Sequence, residues 1–539
     1  MVAQQIEACY KIMGIPQDET SEMTGNVAVS NREKAWKQKR VFFLTPQVMS
    51  NDLSRGLFPS SSVKLLVVDE AHRAQGEYAY CQVVRELIRS QTTFRVVALS
   101  ATPGSDLQAV RMMLQNLQIS KIELRSEESP DIVPYTFQRK IEKIVVPIGE
   151  ELAEIKKKYL TVLKYYIDRL VKFSVLSRRG NSTEPTHYTK YGLFQCREEY
   201  RQNPPARLDN YQRNIVEGDF ASAISLYYGY ELLMQHGMRA FYKFMLKTVG
   251  ESPDSPAGSS LALGASPKIG QGTSPAGTNK QLSGFEGVGA NTSSPVSNRK
   301  LRFDLAKSVA WNEIINDLRE KFSGDLNHSR LNTSRPHLLS QFGQTQASKE
   351  KEDFPLGHPK LEKLRETVIE HFKNHKTNNV DTRVMIFSQY RDSVQEIAAL
   401  LHAYKPLVKV MEFIGQSGTG GKKGLTQKEQ IEVVRRFKEG GYNTLVATCV
   451  GEEGLDIGEV DLIVCYDVSK SPIRLIQRMG RTGRKRAGRI VVLVTEGKEE
   501  QTYNQSMYSK NSINKAILEK QKLIHFLSIA KRMVPKGIY

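Results

Sequence analysis

Three short, almost wholly apolar runs stand out in the first 125 residues: RVFFLTP, VKLLVVDE and FRVVALSATP, each ending in polar or turn residues. Between them lie stretches of helical period such as EYAYCQVVRELIRS. Fully apolar strands alternating with helices predict a parallel sheet covered on both faces. In such sheets ligands sit at the carboxyl ends of the strands, where Thr45, Asp69 and Ser100 fall.

From about 126 to 358 the period changes. Leu152, Ile155, Tyr159, Val162, Tyr166 and Leu170 recur at helical spacing, as do the apolar positions of ISLYYGYELLMQHGMRAFYKFML. Met234 and Met238 read most simply as core residues there. Residues 251–298, rich in Ser, Gly and Pro, bury too little apolar surface to order themselves and are expected to form a disordered loop. From 359 to 500 strands return, as TRVMIFSQY, VKVMEFIG, YNTLVATC, VDLIVCYD and RIVVLVTEG. Residues 501–539 read as helix and tail. The expected plan is a sheet domain over 1–125, a helical insert over 126–358, then a second sheet domain.

Composition narrows the function. Hydrophobic residues make up 40% of the 539 and charged ones 25%, ordinary values for a globular protein. No 18-residue apolar window spans a membrane, and MVAQQIEACY does not read as a signal peptide, so an intracellular setting is expected. The formal charge of +19, from 77 basic and 58 acidic residues, favours a polyanionic partner over a merely solvated basic surface. Cys9, Cys81, Cys196, Cys449 and Cys465 are scattered without a C-x-x-C pair, which argues against a zinc ribbon or a disulfide framework.

The chemistry concentrates in four motifs. DEAH follows the apolar strand LLVV, and SAT (Ser100 to Thr102) follows another such strand. Magnesium suits one or two carboxylates with phosphate oxygens and retained waters. Asp69 would then hold Mg2+ through water, with Glu70 polarising the attacking water; the alternative is that both merely cap the next helix. TCVGEEGLDIG follows YNTLVA, and QRMGRTGR lies on a segment of helical period about twenty residues later. Arg481 and Arg484, three apart, are expected to share a helix face and reach one anion. Arginines so placed stabilise a transferring phosphoryl group, by about 10³–10⁵ in rate.

DEAH, SAT, GEEGLDI and QRMGRTGR in this order resemble the superfamily 2 helicases, whose two RecA-like domains bind ATP in the cleft between them. VGEEGLDIGEVDLIVCYD, SPIRLIQRMGRTGRKR, PQVMSNDLSRG and YAYCQVVREL are similar, more closely, to the Fanconi anaemia group M family and its archaeal relative, the helicase-associated nuclease for forked DNA. The resemblance implies an α/β fold of two RecA-like parallel-sheet domains separated by a helical insert. It implies an ATP-driven translocase on forked and branched DNA, acting in repair in the nucleus, with repair-complex partners bound through regions outside this chain. By position, Asp69 and Glu70 become the magnesium and water-activating pair. His72, Ser100 and Thr102 couple hydrolysis to domain movement. Gln477, Arg481 and Arg484 face the phosphates, and Gly454 and Asp456 lie near the ribose. Thr45, Ser388 and Thr448 touch the DNA backbone, and such contacts position a strand without reading bases. Clusters at 177–180 and 299–302 are either a duplex grip or solvated surface.

One part of the family pattern does not occur in the sequence. A phosphate cradle needs G-x-x-x-x-G-K-[ST]. The nearest stretch, GQSGTGGKKGLT at 415–426, has Lys423 after Gly421-Lys422 and Gln416 where the first glycine belongs. VAQQIEACYKIMGIP resembles the family just beyond that cradle, so the first domain is expected to lack its P-loop unit. Two other readings stay open: a double-stranded RNA sensor or processing helicase, and a non-catalytic branched-DNA scaffold.

Overall fold

The computed structural model describes residues 2–90, 94–102, 104, 106–126, 128–177, 182–250, 295–322, 355–378, 380–415, 424–451, 457–469, 471–483 and 486–519. Gly454, Asp456, Arg484, the 251–294 part of the Ser/Pro-rich loop, residues 416–423 and most of the basic cluster at 177–180 lie outside that set. The chain divides into two compact units. One comprises Met1–Ile144, His371–Gln389 and Pro406–Tyr539; the other comprises Val145–Glu370 and Tyr390–Lys405.

The first unit holds the strands, except for the last two residues of Arg139–Val146, which fall in the second. The apolar runs of the second sheet region become β6 (Val384–Phe387), β7 (Val410–Phe413), β8 (Thr444–Ala447), β9 (Leu462–Cys465) and β10 (Gly488–Thr495). They join in the order β5-β10-β9-β6-β8-β7. The β10/β9, β9/β6, β6/β8 and β8/β7 pairs are parallel. Every residue of β6, β8 and β9 is buried, as expected of strands covered on both faces. β5 is Arg139–Val146, from the stretch expected to open the helical insert; it alternates exposed and part-buried positions beside β10. RKIEKIVV shows no apolar alternation, but its run of β-branched Ile144, Val145 and Val146 is a strand signal that the helical reading of the region passed over.

In the same unit, β1 (Thr20–Met23), β2 (Val41–Leu44), β3 (Leu65–Val68) and β4 (Arg95–Ala98) pair as two separate two-stranded parallel pieces, β1/β2 and β3/β4. One face of β3 and β4 is uncovered among the described residues. Leu65 and Val67 are each 55% exposed and Leu99 is 52% exposed. The other face of β3 and β4 is packed: Val68 lies in a core with Ala71, Cys81, Val84, Val110 and Leu114. Ile513 and Ile517, from helix Lys498–Glu519, complete that core. Asp52, fully buried, accepts from Arg32 Nε and Nη2 at 2.8 Å and from Trp36 Nε1 at 3.0 Å. That network fixes helix Pro46–Ser54 against helix Val29–Gln38.

The second unit is helical. Helices Glu150–Lys172, Lys190–Gln202, Asn210–His236, Met238–Val249, Pro295–Ala306 and Val309–Phe322 share one apolar core. All six periodic residues read from the sequence between 152 and 170 are buried in it, as is Met238. Met234 packs at its edge. Gly237 breaks the Asn210–His236 and Met238–Val249 helices apart at φ +87, and the Gly357 carbonyl, which accepts from Met238 N at 2.7 Å, leaves no room for a Cβ there. No helix of the described residues is long and apolar enough to cross a membrane.

Candidate active site

β3 ends at Val68, and the chain turns at once. Glu70 takes a left-handed conformation, φ 51, uncommon for a residue with a Cβ. The turn is held because Ala71 N donates to Leu99 O and Leu99 N to Val68 O, both at 2.8 Å. Neither carboxylate caps the following 3-10 turn Ala71–Arg73. Asp69 Oδ1 instead accepts from Glu70 N at 2.9 Å, and Asp69 Oδ2 accepts from Gln5 Nε2 at 2.5 Å. Tyr80 donates to the Asp69 carbonyl at 2.8 Å; burial, first among several causes, pushes its hydroxyl up to about 12.

The strand ends bring DEAH and SAT together. Ser100 Oγ donates to Thr102 O at 2.6 Å, so its 3.2 Å contact with His72 Nδ1 is one in which the imidazole donates. The same Nδ1 lies 3.3 Å from Glu70 Oε2, which is buried without a hydrogen bond. Burial and then the Arg73 charge hold His72 down to about 4, with Asp69 opposing, so the ring is neutral at pH 7. Burial, then the Asp69 charge, raises the Glu70 carboxyl above its ordinary range. Arg73 and Arg481 pull it back. Arg481 belongs to QRMGRTGR, more than four hundred residues along the chain, and its charge is felt at the DEAH carboxylate.

The arginine segment departs from the expected geometry. Helix Pro472–Met479 stops at Gly480, whose N–H closes on the Ile476 carbonyl at 2.8 Å. Arg481 therefore stands beyond the helix end, in a turn continued by Gly483 at φ +76. Arg481 does not lie on a helix face, and Arg484, expected to share one with it, lies outside the described residues. Gln477 is on the helix and partly buried.

Thr45, Ser388 and Thr448 each follow a strand directly. Thr45 is half-buried and starts helix Pro46–Ser54 without a side-chain cap bond. Thr448 is buried, with its N–H on Phe413 O at 3.2 Å. Ser388 is fully buried, and its hydroxyl is committed to Asp467 Oδ2 at 3.0 Å. Asp467 also accepts from Gln389 N at 2.6 Å and from Arg478 Nη1 at 3.3 Å. Sequence reasoning missed Asp467 and Arg478, both buried. The signal was there: an arginine inside QRMGRTGR and an aspartate closing the apolar strand VDLIVCYD.

The chain is similar to known proteins. Residues 1–110 match the DEAD/DEAH box helicase family, and residues 359–486 match the helicase conserved C-terminal domain. Two regions of the chain thus resemble the paired parts of a helicase core. Among individual proteins, it is similar to the Fanconi anemia group M protein of Gallus gallus, 48% identical over the whole of this chain and 24% of that protein. It is 46% identical to the Mus musculus homolog over the same shares, and 36% identical to the ATP-dependent DNA helicase mph1 of Aspergillus terreus, of which it covers 43%. The chain spans about a quarter of the length of the first two relatives. The crystal structure of the Pyrococcus furiosus Hef helicase domain superposes with a TM-score of 0.55, at 27% identity, over 94% of this chain and 86% of that one.

Proposed function

We propose that this chain is the motor core of an ATP-dependent DNA translocase acting on forked and branched DNA during repair. The observation that carries the reading is the meeting of DEAH and SAT at the strand ends, where His72 Nδ1 lies 3.2 Å from Ser100 Oγ and 3.3 Å from Glu70 Oε2. Glu70 acts as the base that orients the attacking water. Its raised pKa suits a proton acceptor near neutrality better than an ordinary carboxylate would. Arg481, with Gln477, faces the developing phosphoryl charge. His72 passes the state of that site to Ser100 and Thr102 through its Nδ1 contacts.

The acidic pair fits a magnesium–nucleotide complex: Glu70 Oε2 is buried without a hydrogen bond, and two adjacent carboxylates repel until a cation offsets them. Asp69 would hold Mg2+ through water, and the ion would neutralise phosphate charge. Thr45, at the start of helix Pro46–Ser54, contacts the DNA backbone, and Thr448 supports that surface. Ser388 serves by fixing Asp467. The relatives named for DNA helicase activity favour DNA over RNA, and a repair helicase of this kind works in the nucleus.

The test is ATP hydrolysis by the protein as given, with and without forked DNA, together with the effect of nucleotide on fork affinity. G-x-x-x-x-G-K-[ST] does not occur in the 539 residues, so the chain by itself is expected to hydrolyse slowly. Its fork affinity is expected to shift with Mg-ATP and to lose that shift in Glu70→Gln. Fork binding indifferent to nucleotide would favour a scaffold instead. Equal competition by A-form RNA would favour the RNA reading.

A further inference from the structure

The turn that carries Arg481 has left its helix, so something other than helical hydrogen bonds must fix where the guanidinium points. Three consecutive residues do this. Val460 N donates to the Arg481 carbonyl at 3.2 Å. Glu459 Oε1 accepts from Arg486 N at 3.1 Å. Asp461 forms an ion pair with Arg486, whose Nη2 also donates to Asp461 Oδ2 at 2.6 Å. The stretch Glu459–Asp461 immediately follows GEEGLDIG and leads into β9. One short segment therefore grips the arginine turn at residue 481 and again at residue 486.

The grip has a rigid base. Asp461 is buried, while the Arg486 side chain is about half exposed. Asp461 Oδ2 also accepts from Arg383 N at 2.8 Å and from Thr382 Oγ1 at 3.0 Å. Because Thr382 donates to Asp461, its hydroxyl accepts from His371 Nε2 at 2.7 Å. Arg486 Nη2 donates further to the Asp381 carbonyl at 3.1 Å. Asp461 N pairs with Arg383 O at 2.9 Å, and Arg489 N with Asp461 O at 2.8 Å, so its backbone is locked into the sheet. A carboxylate with this many partners stays put, and the exposed arginine is held to it rather than the reverse.

We propose that Asp461 and Arg486 are positioning residues, a latch that holds the Arg481 turn in place from the segment following GEEGLDIG. The role in catalysis rests on Arg481 being the phosphate-facing arginine; the mechanical role does not. A latch at this point ties the arginine turn to the residues that enter β9, so the guanidinium takes its place from the sheet.

The experiment is amide hydrogen exchange on the whole chain, for wild type, Asp461→Asn and Arg486→Gln. Peptides spanning 478–488 are expected to exchange at least about tenfold faster in both variants, the scale of one lost charged hydrogen bond. Peptides from β6 and β8 are expected to keep wild-type rates in Arg486→Gln. Arg486 is half exposed, so that variant keeps its fold even where Asp461→Asn does not. Unchanged exchange at 478–488 in Arg486→Gln overturns the latch, as does a rise of the same size throughout the sheet. The charge swap Asp461→Arg with Arg486→Asp is expected not to restore protection, because Thr382 and Arg383 N also need the carboxylate at 461. Arg486→Lys, which keeps the charge, is expected to restore most of it. Where wild type hydrolyses ATP on forked DNA, Arg486→Gln is expected to lower kcat with KM unchanged. Fork binding indifferent to nucleotide tells against the motor reading for this chain, and the exchange result then decides the latch alone.

Discussion

Two stretches of nearly the same sequence character meet opposite fates. LLVV in β3 and VMIF in β6 are both four-residue apolar strands with a parallel neighbour and a polar residue at the carboxyl end. Val384 to Phe387 are all 0% exposed, while Leu65 and Val67 are more than half exposed. The difference lies in neighbours. β6 has a strand on each side in a six-stranded sheet; among the described residues β3 pairs with β4 alone. An apolar run states that a strand can be covered, and the rest of the sheet decides whether it is. The chemistry follows the same division. The DEAH carboxylates sit at the end of the thinly covered strand, whereas the arginine turn is fixed to the fully buried one.

The largest effect expected on this contrast is at the arginine. Arg481→Ala is expected to remove the nucleotide response, by about 10³ or more in rate where hydrolysis is measurable. It should also raise the Glu70 pKa further, which a carboxyl-specific infrared titration would read. An unchanged Glu70 titration would mean that the two regions do not communicate there.

Next in size is stability. Phe387→Ala in β6 is expected to cost about 3–5 kcal/mol in denaturant unfolding, as a large buried side chain leaves a cavity. Arg478→Ala should cost a similar amount, because it strands the buried Asp467 charge. On β3 the paired substitutions Leu65→Thr and Val67→Thr are expected to cost under about 0.5 kcal/mol each and to reduce self-association. A large loss there would mean that this face is covered in solution.

Glu70→Gln is expected to abolish the nucleotide response while raising stability at neutral pH by about 1 kcal/mol. The sign follows from the raised pKa. The folded state holds the Glu70 proton more tightly than the unfolded chain does, so Glu70 contributes stability at low pH that is lost as pH rises through its folded value. His72 acts in the opposite sense. Its folded pKa, near 4, lies below the ordinary 6.5, so its contribution is present above 6.5 and lost as pH falls toward 4. His72→Gln is expected to flatten the acid limb of the stability curve between those values. An unchanged limb would mean that the ring is open to water.

Much of the site was legible because it lies at strand ends. Asp69, Ser100, Thr45, Ser388 and Thr448 each come within two residues of the end of an apolar run, and the fold places them there. β1 was not legible, since TSEM has no apolar alternation to mark it, and its pairing with β2 supplies what its sequence lacks. The turn at Arg481 was hidden for another reason. Helical period continues through QRMGRTGR on paper, but the helix ends at Met479, and Gly483 at φ +76 turns the chain away.

The sequence by itself determined which polar residues fall at strand ends and that strands and helices alternate around them, because side-chain type and hydrophobic period are local properties. It also carried a resemblance to one class of machine, through four motifs in a fixed order. Only the tertiary structure decided which apolar strands are covered, that Ser388 faces Asp467, and that Arg481 bears on Glu70. Those outcomes depend on distances between residues far apart in the chain, set by packing and by which buried charges must find partners.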